Sequence, residues 1–196
     1  MIDERAILVT CMSHQQRRSM EAWGLHGVGH WWRVRHNGLL IAAQTGADER
    51  VVRLFSLFHD AFREDDGYDE AHGVRAADWL LAVRSGDESV HDPACAASRG
   101  AIGSLDDASF ARLETACRLH TTARFHEDPT VATCFVADRL DLSRVGVMPD
   151  RRYLPVAQEV VTDEIIVAAV NRSSVVMPGD LVEAMERAWG VRPGGA

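Results

Sequence analysis

The sequence predicts an all-α fold, and three observations support this prediction. Apolar residues recur at three- and four-residue steps along most of the chain, whereas the alternating pattern of β-strands is almost absent. The 196 residues suit one domain, and a hydrophobic content of 46% is enough for a substantial core. We therefore expect a single helical domain over 1–190, with a core at about 24–154, a helical appendage at about 155–190 and a mobile tail at 191–196.

The first two helices are predicted from their boundary residues. Ser13 is a favourable N-cap and predicts a helix that runs toward Trp23. The helical pattern is then interrupted by three glycines: Gly24, Gly27 and Gly29. A long second helix should follow and end near Gly46, because glycine commonly terminates helices.

A third helix is predicted after the N-cap residue Asp48, and it leads into an adjacent His59-Asp60 pair. Its apolar residues recur on one face: Val51, Phe55, Phe58 and Phe62. That face must be buried, and His59 lies one turn beyond Phe55 at its edge. The charged segment 63–69 should form a loop directly after the pair, where loops commonly line active sites.

The second half of the chain is predicted to be helical as well. Helices are expected at 70–84, at 105–121 and from Pro129 onward, with a variable connection at 85–104. Residues 157–170 are expected to form a helix, although their β-branched residues would also suit a buried strand. A last helix should begin at Gly179 and reach Trp189.

Composition and charge limit the classes of function. The formal net charge of -8 argues against general affinity for a nucleic-acid backbone, but it leaves small phosphorylated substrates open. The four cysteines are far apart in sequence, which favours neither a disulfide framework nor a thiolate zinc site. No apolar run approaches the roughly 20 residues that span a bilayer, and no secretory signal is seen, so we expect a cytoplasmic protein with no membrane partner.

The His59-Asp60 pair predicts a metal site, because it closes an apolar run where such a pair is costly to bury without strong partners. Neighbouring helix residues project about 100° apart, so both can bind one ion only if other segments complete its shell. His30 upstream and Asp138 downstream are the expected partners. Each of these two has a rival nearby: His26 for His30, and Asp141 for Asp138. Imidazoles and carboxylates suit divalent Mn, Fe, Co, Ni or Zn.

A His, then a His-Asp pair, then an Asp, separated along helical sequence, resembles the HD-domain superfamily of metal-dependent phosphohydrolases. The similarity covers residues 24–154 and includes the Arg33-Val34 step after His30 and the segment around Asp138. It implies an HD-domain helical bundle that hydrolyses a phosphomonoester or phosphodiester through metal-activated water, with positions left open for water and a phosphate oxygen. A nucleotide substrate is likewise implied only by the family.

The resemblance also implies that a second ion can bind. In two-metal relatives, the Asp of the pair bridges both ions and additional histidines bind the second. Asp60 would then bridge, while His72 and His120 would be ligands of the second ion. The alternative is that His72 and His120 contact the substrate phosphate or point into solvent.

Charged and aromatic residues near the predicted ligands are candidates for substrate contacts. Arg33 and Arg63 are expected to contact phosphate, although a salt bridge to a nearby acid is the alternative for each arginine in this region. Glu64, or Asp65 beside it, could act as general base or orient the attacking water. Three tryptophans could stack on a nucleobase or instead fill the core: Trp23, Trp31 and Trp32.

We therefore expect a metal-dependent phosphohydrolase that uses one or two divalent transition ions on a small phosphorylated substrate. Two alternatives stay open. The first is an HD-fold di-iron oxygenase, which uses the same set of ligands with O2 to cleave C–C or C–P bonds. The second is a non-catalytic sensor that binds a nucleotide, and the intact set of ligands argues against it.

Overall fold

The computed structural model describes residues 2–18, 20–90, 95–156, 159–173 and 177–193. Over these residues the chain is all-helical and contains no strand, which confirms the predicted fold class. The α-helices are α1 (Glu4–Gln16), α2 (Val28–Thr45), α3 (Glu49–Phe58), α4 (His72–Ser85), α5 (Ala96–Gly103), α6 (Asp107–Leu119), α7 (Pro129–Arg139), α8 (Asp163–Arg172) and α9 (Gly179–Trp189). Short 3-10 helices lie at Glu88–Val90, Leu142–Val145 and Arg151–Tyr153. No described helix is both long and apolar enough to cross a bilayer.

The helices nearest the predicted metal site begin and end as their boundary residues indicated. The carboxylate of Asp48 caps α3 by accepting a 2.9 Å hydrogen bond from the Arg50 backbone N–H. Pro129 opens α7 behind the N-cap Asp128, where its missing N–H has no cost. Gly46 ends α2 with φ of 70°, a conformation that glycine adopts without strain.

The first helix was predicted wrongly. It begins at Glu4, where Asp3 accepts a 3.0 Å hydrogen bond from the Ala6 backbone N–H, and it ends at Gln16. Ser13 therefore lies inside α1, where its hydroxyl donates to the Val9 carbonyl instead of capping a helix. Asp3 is an acidic N-cap closer to the chain start than Ser13. The helix that follows it is stabilised because its apolar face is buried against α3 and α9.

The connection at 85–104 also differs from the prediction, because it contains α5. Glycines at 100 and 103 lower the helix propensity of this segment. Packing outweighs propensity here, since Ala101 and Ile102 are buried in the main hydrophobic cluster and α5 contacts α1 and α4.

The C-terminal elements match the predictions in part. The helix expected at 157–170 is α8, which begins later, where the Thr162 side chain caps it. Residues 157–158 lie outside the described residues. The last helix, α9, has the predicted bounds. The tail predicted to be mobile comprises residues 191–196, of which 194–196 lie outside the described residues.

The centre of the bundle is α2, which packs along α3 and α7. A Cβ atom on Gly38 of α2 would lie 2.5 Å from Val52 Cγ1 and 3.2 Å from Ala137 Cβ, so the three helices approach closely where α2 lacks a side chain. A second layer pairs α4 with α6, and α6 also packs on α3 and α7. The candidate site is built where these two layers meet.

The two terminal helices are attached through different clusters of apolar residues. α9 joins the main core through Trp189, whose ring lies edge-on to Trp32 at 4.9 Å between centroids. α8 covers a smaller cluster: Ile41, Val136, Leu140, Leu154, Val161 and Ala169. Trp31 and Trp32 are buried, so both fill the core, whereas Trp23 is partly exposed.

Candidate metal centre

Two helices and one helix terminus bring the first group of ligands together. His30 lies on α2, His59 follows the last residue of α3, and Asp138 lies on α7. The Nε2 atoms of His30 and His59 are 3.0 Å apart. Asp138 Oδ1 lies 3.4 Å from His30 Nε2 and 3.9 Å from His59 Nε2. One ion could therefore contact all three side chains.

The second group of ligands consists of Asp60, His72 and His120. His72 is the first residue of α4, and His120 follows the last residue of α6. Their Nε2 atoms are 2.8 Å apart, and Asp60 Oδ1 lies 2.9 Å from His72 Nε2 and 3.9 Å from His120 Nε2. The structure therefore places both histidines beside Asp60 and buries them, which excludes the alternative that they point into solvent.

Asp60 stands between the two groups and offers one carboxylate oxygen to each. Oδ2 lies 3.4 Å from His30 Nε2 and 3.8 Å from His59 Nε2, on the side of the first group. Oδ1 faces His72 and His120 on the side of the second group. This is the arrangement that a carboxylate bridging two ions requires.

The four histidines are oriented by hydrogen bonds from their other ring nitrogen. His30 Nδ1 donates to Asp141 Oδ2 at 2.7 Å. The other three donate Nδ1–H to backbone carbonyls: His59 to Phe55 at 3.0 Å, His120 to Cys117 at 2.7 Å, and His72 to Asp69. Carboxylates and carbonyls only accept, so the proton sits on Nδ1 and each Nε2 lone pair points inward.

This orientation tests whether the residues fit a metal ion. The Nε2 atoms face each other at 3.0 Å in His30 and His59 and at 2.8 Å in His72 and His120. In each pair two lone pairs meet, and neither nitrogen has a proton to donate to the other. Burial is the largest effect on His59 and lowers its pKa to about 3, so a proton is not held there at neutral pH. Two nitrogens that are each about 2.1 Å from one ion, at a right angle, would be about 3.0 Å apart. The buried groups therefore could hold a divalent metal.

The carboxylates of the centre are ionised at neutral pH. Burial would raise the pKa of Asp60, but the imidazoles around it, that of His59 first, hold that pKa well below its ordinary value. Burial also opposes ionisation of Asp138, and the nearby imidazoles of His59 and His30, together with the charge of Arg144, lower its pKa nonetheless. Both side chains can therefore bind a cation without first losing a proton.

Of the two arginines predicted to contact phosphate, Arg63 lies at the centre and Arg33 lies behind it. Arg63 Nη1 is 3.7 Å from Asp60 Oδ1 and 3.2 Å from His72 Nδ1. Arg33 instead donates from Nε and Nη2 to Asp141, at 2.7 and 3.0 Å. Arg33 thus forms the salt bridge that was the alternative, and the prediction of a phosphate contact is not supported for it.

The structure separates the predicted ligands from their rivals. Asp141 is not in either ligand group and supports His30 from behind, with its pKa held far below normal, against the effect of burial, by His30 and Arg33. His26 donates Nδ1–H to Asp66 Oδ1 at 3.0 Å and is in neither group. His30 and Asp138 are therefore the members that converge.

The two acidic loop residues predicted as a general base, Glu64 and Asp65, lie outside both groups of candidate ligands. The Glu64 side chain is 62% exposed, and its carboxylate lies 3.8 Å from Arg75 Nη1. Asp65 turns back on its own loop, where Oδ1 accepts from the Gly67 backbone N–H at 2.6 Å. Neither carboxylate is in a ligand group, because both are held on the surface by local partners.

Two contributions to the site were missed from sequence. Arg144 lies 3.8 Å from Asp141 Oδ2 and lowers the pKa of Asp138, and it was only one of several arginines near the ligands. His59 and His120 each directly follow a helix and bond a carbonyl four or three residues earlier. A histidine directly after an apolar helix is the sequence signal that could have predicted this hydrogen bond from the imidazole to a carbonyl of the preceding turn.

Comparison of the chain with protein-family models, with curated proteins and with solved structures finds no match.

Proposed function

We propose that the protein is a metal-dependent phosphohydrolase of the HD type. The observation that carries the proposal is the convergence of two histidine pairs on the two oxygens of Asp60. The first ion would be held by His30, His59, Asp60 and Asp138, and the second by Asp60, His72 and His120. The donor set suits Mn, Fe, Co, Ni or Zn.

Each part of the centre has a role in this proposal. A divalent ion bound here would supply Lewis acidity, which acidifies water and polarises a phosphoryl oxygen. The chain supplies geometry, since the four Nδ1–H bonds fix the imidazoles before any ligand arrives. Water is largely excluded, because all of the ligands except Asp138 are at most 3% exposed at their side chains.

The positive charge of Arg63 favours an anionic substrate. Its guanidinium is buried, and two of its nitrogens are fixed by the carbonyls of Asp65 and Gly67, at 3.2 and 2.6 Å. The remaining Nη1 is directed toward Asp60 and His72. A phosphate oxygen at the centre could accept from Nη1, and that interaction is strong because the charge is shielded from water. A small phosphorylated molecule is therefore the proposed substrate.

The first test is the metal content of the protein purified without chelator, measured by plasma mass spectrometry. We expect one or two transition ions per chain in the natural sequence and loss of metal in Asp60→Ala, which removes the shared carboxylate. Asp78→Ala is the matched control, because Asp78 is exposed on α4, where it pairs with Arg118. If the protein bound no ion after reconstitution with each of the five metals, the proposal would fail.

The second test is phosphate release from a panel of phosphomonoesters and phosphodiesters by protein loaded with each metal. Turnover that Asp60→Ala abolishes and Asp78→Ala preserves would support the hydrolase. Turnover that needs both iron and O2 would instead identify the oxygenase. Tight binding of a nucleotide with no turnover would identify the sensor.

A further inference from the structure

A cavity of about 510 Å³ is lined by residues that directly follow two of the candidate ligands in the chain, and it has no role in the function proposed above. Its walls come from residues 121–124, from two positions near the end of α7 and from residues 147–154. Thr121 directly follows the ligand His120, and Arg139 directly follows the ligand Asp138. Consecutive Cα atoms are about 3.8 Å apart, so each of these two wall residues is a backbone neighbour of one candidate ligand.

The metal centre is most open at Asp138. The side chain of Asp138 is 16% exposed, whereas those of the other five ligands are at most 3% exposed. The next residue along the chain, Arg139, lines the cavity. The most exposed candidate ligand and one wall residue of the cavity are thus consecutive residues of α7.

The cavity is lined mainly by apolar side chains: Leu142, Val147, Met148, Pro149, Tyr153 and Leu154. Met148 is 64% exposed, and Val147 and Tyr153 are about half exposed. Phe125, which directly follows the wall residue Arg124, and Val145, two positions before Val147, are exposed as well. A concentration of exposed apolar side chains around a concave surface is typical of a ligand-binding groove.

Two arginines give the cavity its shape and its preference for flat groups. Arg139 donates to the backbone carbonyls of Ala123, Arg124 and Tyr153, so one guanidinium ties two walls together before a ligand binds. The Arg124 guanidinium lies 4.5 Å from the centroid of the Tyr153 ring. Guanidinium planes, aromatic rings and a methionine thioether are all favourable surfaces for an aromatic ring.

We propose that this cavity binds a flat aromatic or heteroaromatic group of the phosphorylated substrate. The ring would lie against Met148 and Tyr153 while the phosphate faces Asp60. The volume is in the range of sites for small organic molecules and far exceeds the needs of a phosphate group alone. The position of the phosphate rests on the proposed function, whereas recognition of the ring follows from the cavity itself.

The test compares two phosphomonoesters that differ in the organic group, 1-naphthyl phosphate and ethyl phosphate, on metal-loaded protein. Met148→Glu places a charge in the apolar wall. It should raise KM for 1-naphthyl phosphate about tenfold or more, while KM for ethyl phosphate changes less than about twofold. Val9→Glu is the control. Val9 is also exposed but lies on α1, so this substitution adds the same charge away from the cavity.

Equilibrium binding of 1-naphthyl phosphate, followed by its own fluorescence, separates failure of this inference from failure of the proposed function. If no ester is hydrolysed but Met148→Glu weakens binding about tenfold relative to Val9→Glu, the hydrolase fails and the aromatic site stands. The inference is overturned if 1-naphthyl phosphate does not bind the unaltered protein. It is also overturned if Met148→Glu leaves binding unchanged, or if it raises KM equally for both esters.

Discussion

Asp141 supports the candidate metal centre from outside both groups of candidate ligands. Its carboxylate is fully buried, accepts from His30 Nδ1 and is fixed by two hydrogen bonds from Arg33. The Ser173 hydroxyl also donates to it, so α8 contributes to the support. Such outer partners fix the tautomer and the ring orientation of a ligating histidine, and they raise its basicity.

We predict that Asp141→Asn weakens metal binding by about tenfold to hundredfold. Asparagine keeps an oxygen that can accept from His30, but it removes the charge that makes the imidazole a better donor to metal. The measurement is competition for Zn or Mn against a chelator of known affinity, with Asp78→Asn as an exposed control. Equal affinities for the two variants would show that Asp141 is only a structural partner of Arg33.

At the scale of single residues, the sequence was sufficient to predict which side chains converge and insufficient to predict which residues support them. His30, His59, Asp60, Asp138, His72 and His120 were all predicted, and the structure brings them together. A hydrogen bond such as His30 to Asp141 joins residues 111 positions apart, so no local pattern could distinguish Asp141 as support from Asp141 as ligand. Glu64 does not join these side chains, because sequence proximity to the site does not determine where a loop carboxylate points.

Among the elements, the contact between α4 and α6 fixes the second group of ligands. Gly73, next to His72, faces His120 across this contact. A Cβ atom on Gly73 would lie 2.4 Å from the Cys117 carbonyl oxygen and 2.9 Å from His120 Cε1. That carbonyl is the one that orients His120, so the two helices can approach only because α4 has no side chain here.

We predict that Gly73→Ala displaces His120 and lowers metal occupancy from two ions per chain toward one. The added methyl group has no space to enter, and alanine's higher helix propensity of about 1 kcal/mol cannot relieve the clash. Metal content and phosphate release report the effect. Gly100→Ala is the control, because that glycine also lies in a helix but has nothing within 4 Å of its Cβ position. Unchanged occupancy in Gly73→Ala would show that α4 and α6 separate at little cost.

The predictability of each helix followed the strength of its local signals. The starts of α3, α7 and α9 were predicted correctly, because each helix begins at or directly after a residue typical of a helix start. These residues are Asp48, Pro129 and Gly179. α5 was missed because its helical state depends on burial of Ala101 and Ile102 against other helices. α1 was misplaced because Ser13 resembles an N-cap in isolation, although Asp3 occupies that role.

At the scale of the whole molecule, one partly buried carboxylate, that of Glu4, connects several helices. Glu4 Oε2 accepts from Arg35 Nε at 2.6 Å and from Trp189 Nε1 at 2.7 Å, while Oε1 accepts from Arg53 Nη1 at 3.0 Å. These partners belong to α2, α9 and α3, so Glu4 links α1 to three other helices. Burial would raise the pKa of Glu4, but Arg35, Trp189 and Arg53 together lower it below its ordinary value of 4.5.

We predict that Glu4→Gln lowers the free energy of unfolding by about 2 kcal/mol at pH 7, because it leaves the charge of two partly buried arginines, Arg35 and Arg53, uncompensated. A lowered pKa stabilises the folded state above pH 4.5, and this stabilisation is lost as pH falls through the folded pKa. The difference between Glu4→Gln and the natural sequence should therefore shrink below pH 4.5 in urea unfolding curves. Glu49→Gln, at an exposed partner of Arg53, should cost less than about 1 kcal/mol. Equal costs for the two variants would contradict the argument.

The ligands of the metal centre lie on or next to five different helices, α2, α3, α4, α6 and α7, and span residues 30–138. Bound ions would therefore act as removable cross-links that close long loops of the chain. Folding and metal occupancy then become linked equilibria, and an ion at 100 times its Kd would add about 2.7 kcal/mol to the stability of the native state. Metal supply would regulate how much folded protein persists, in addition to whether that protein is active.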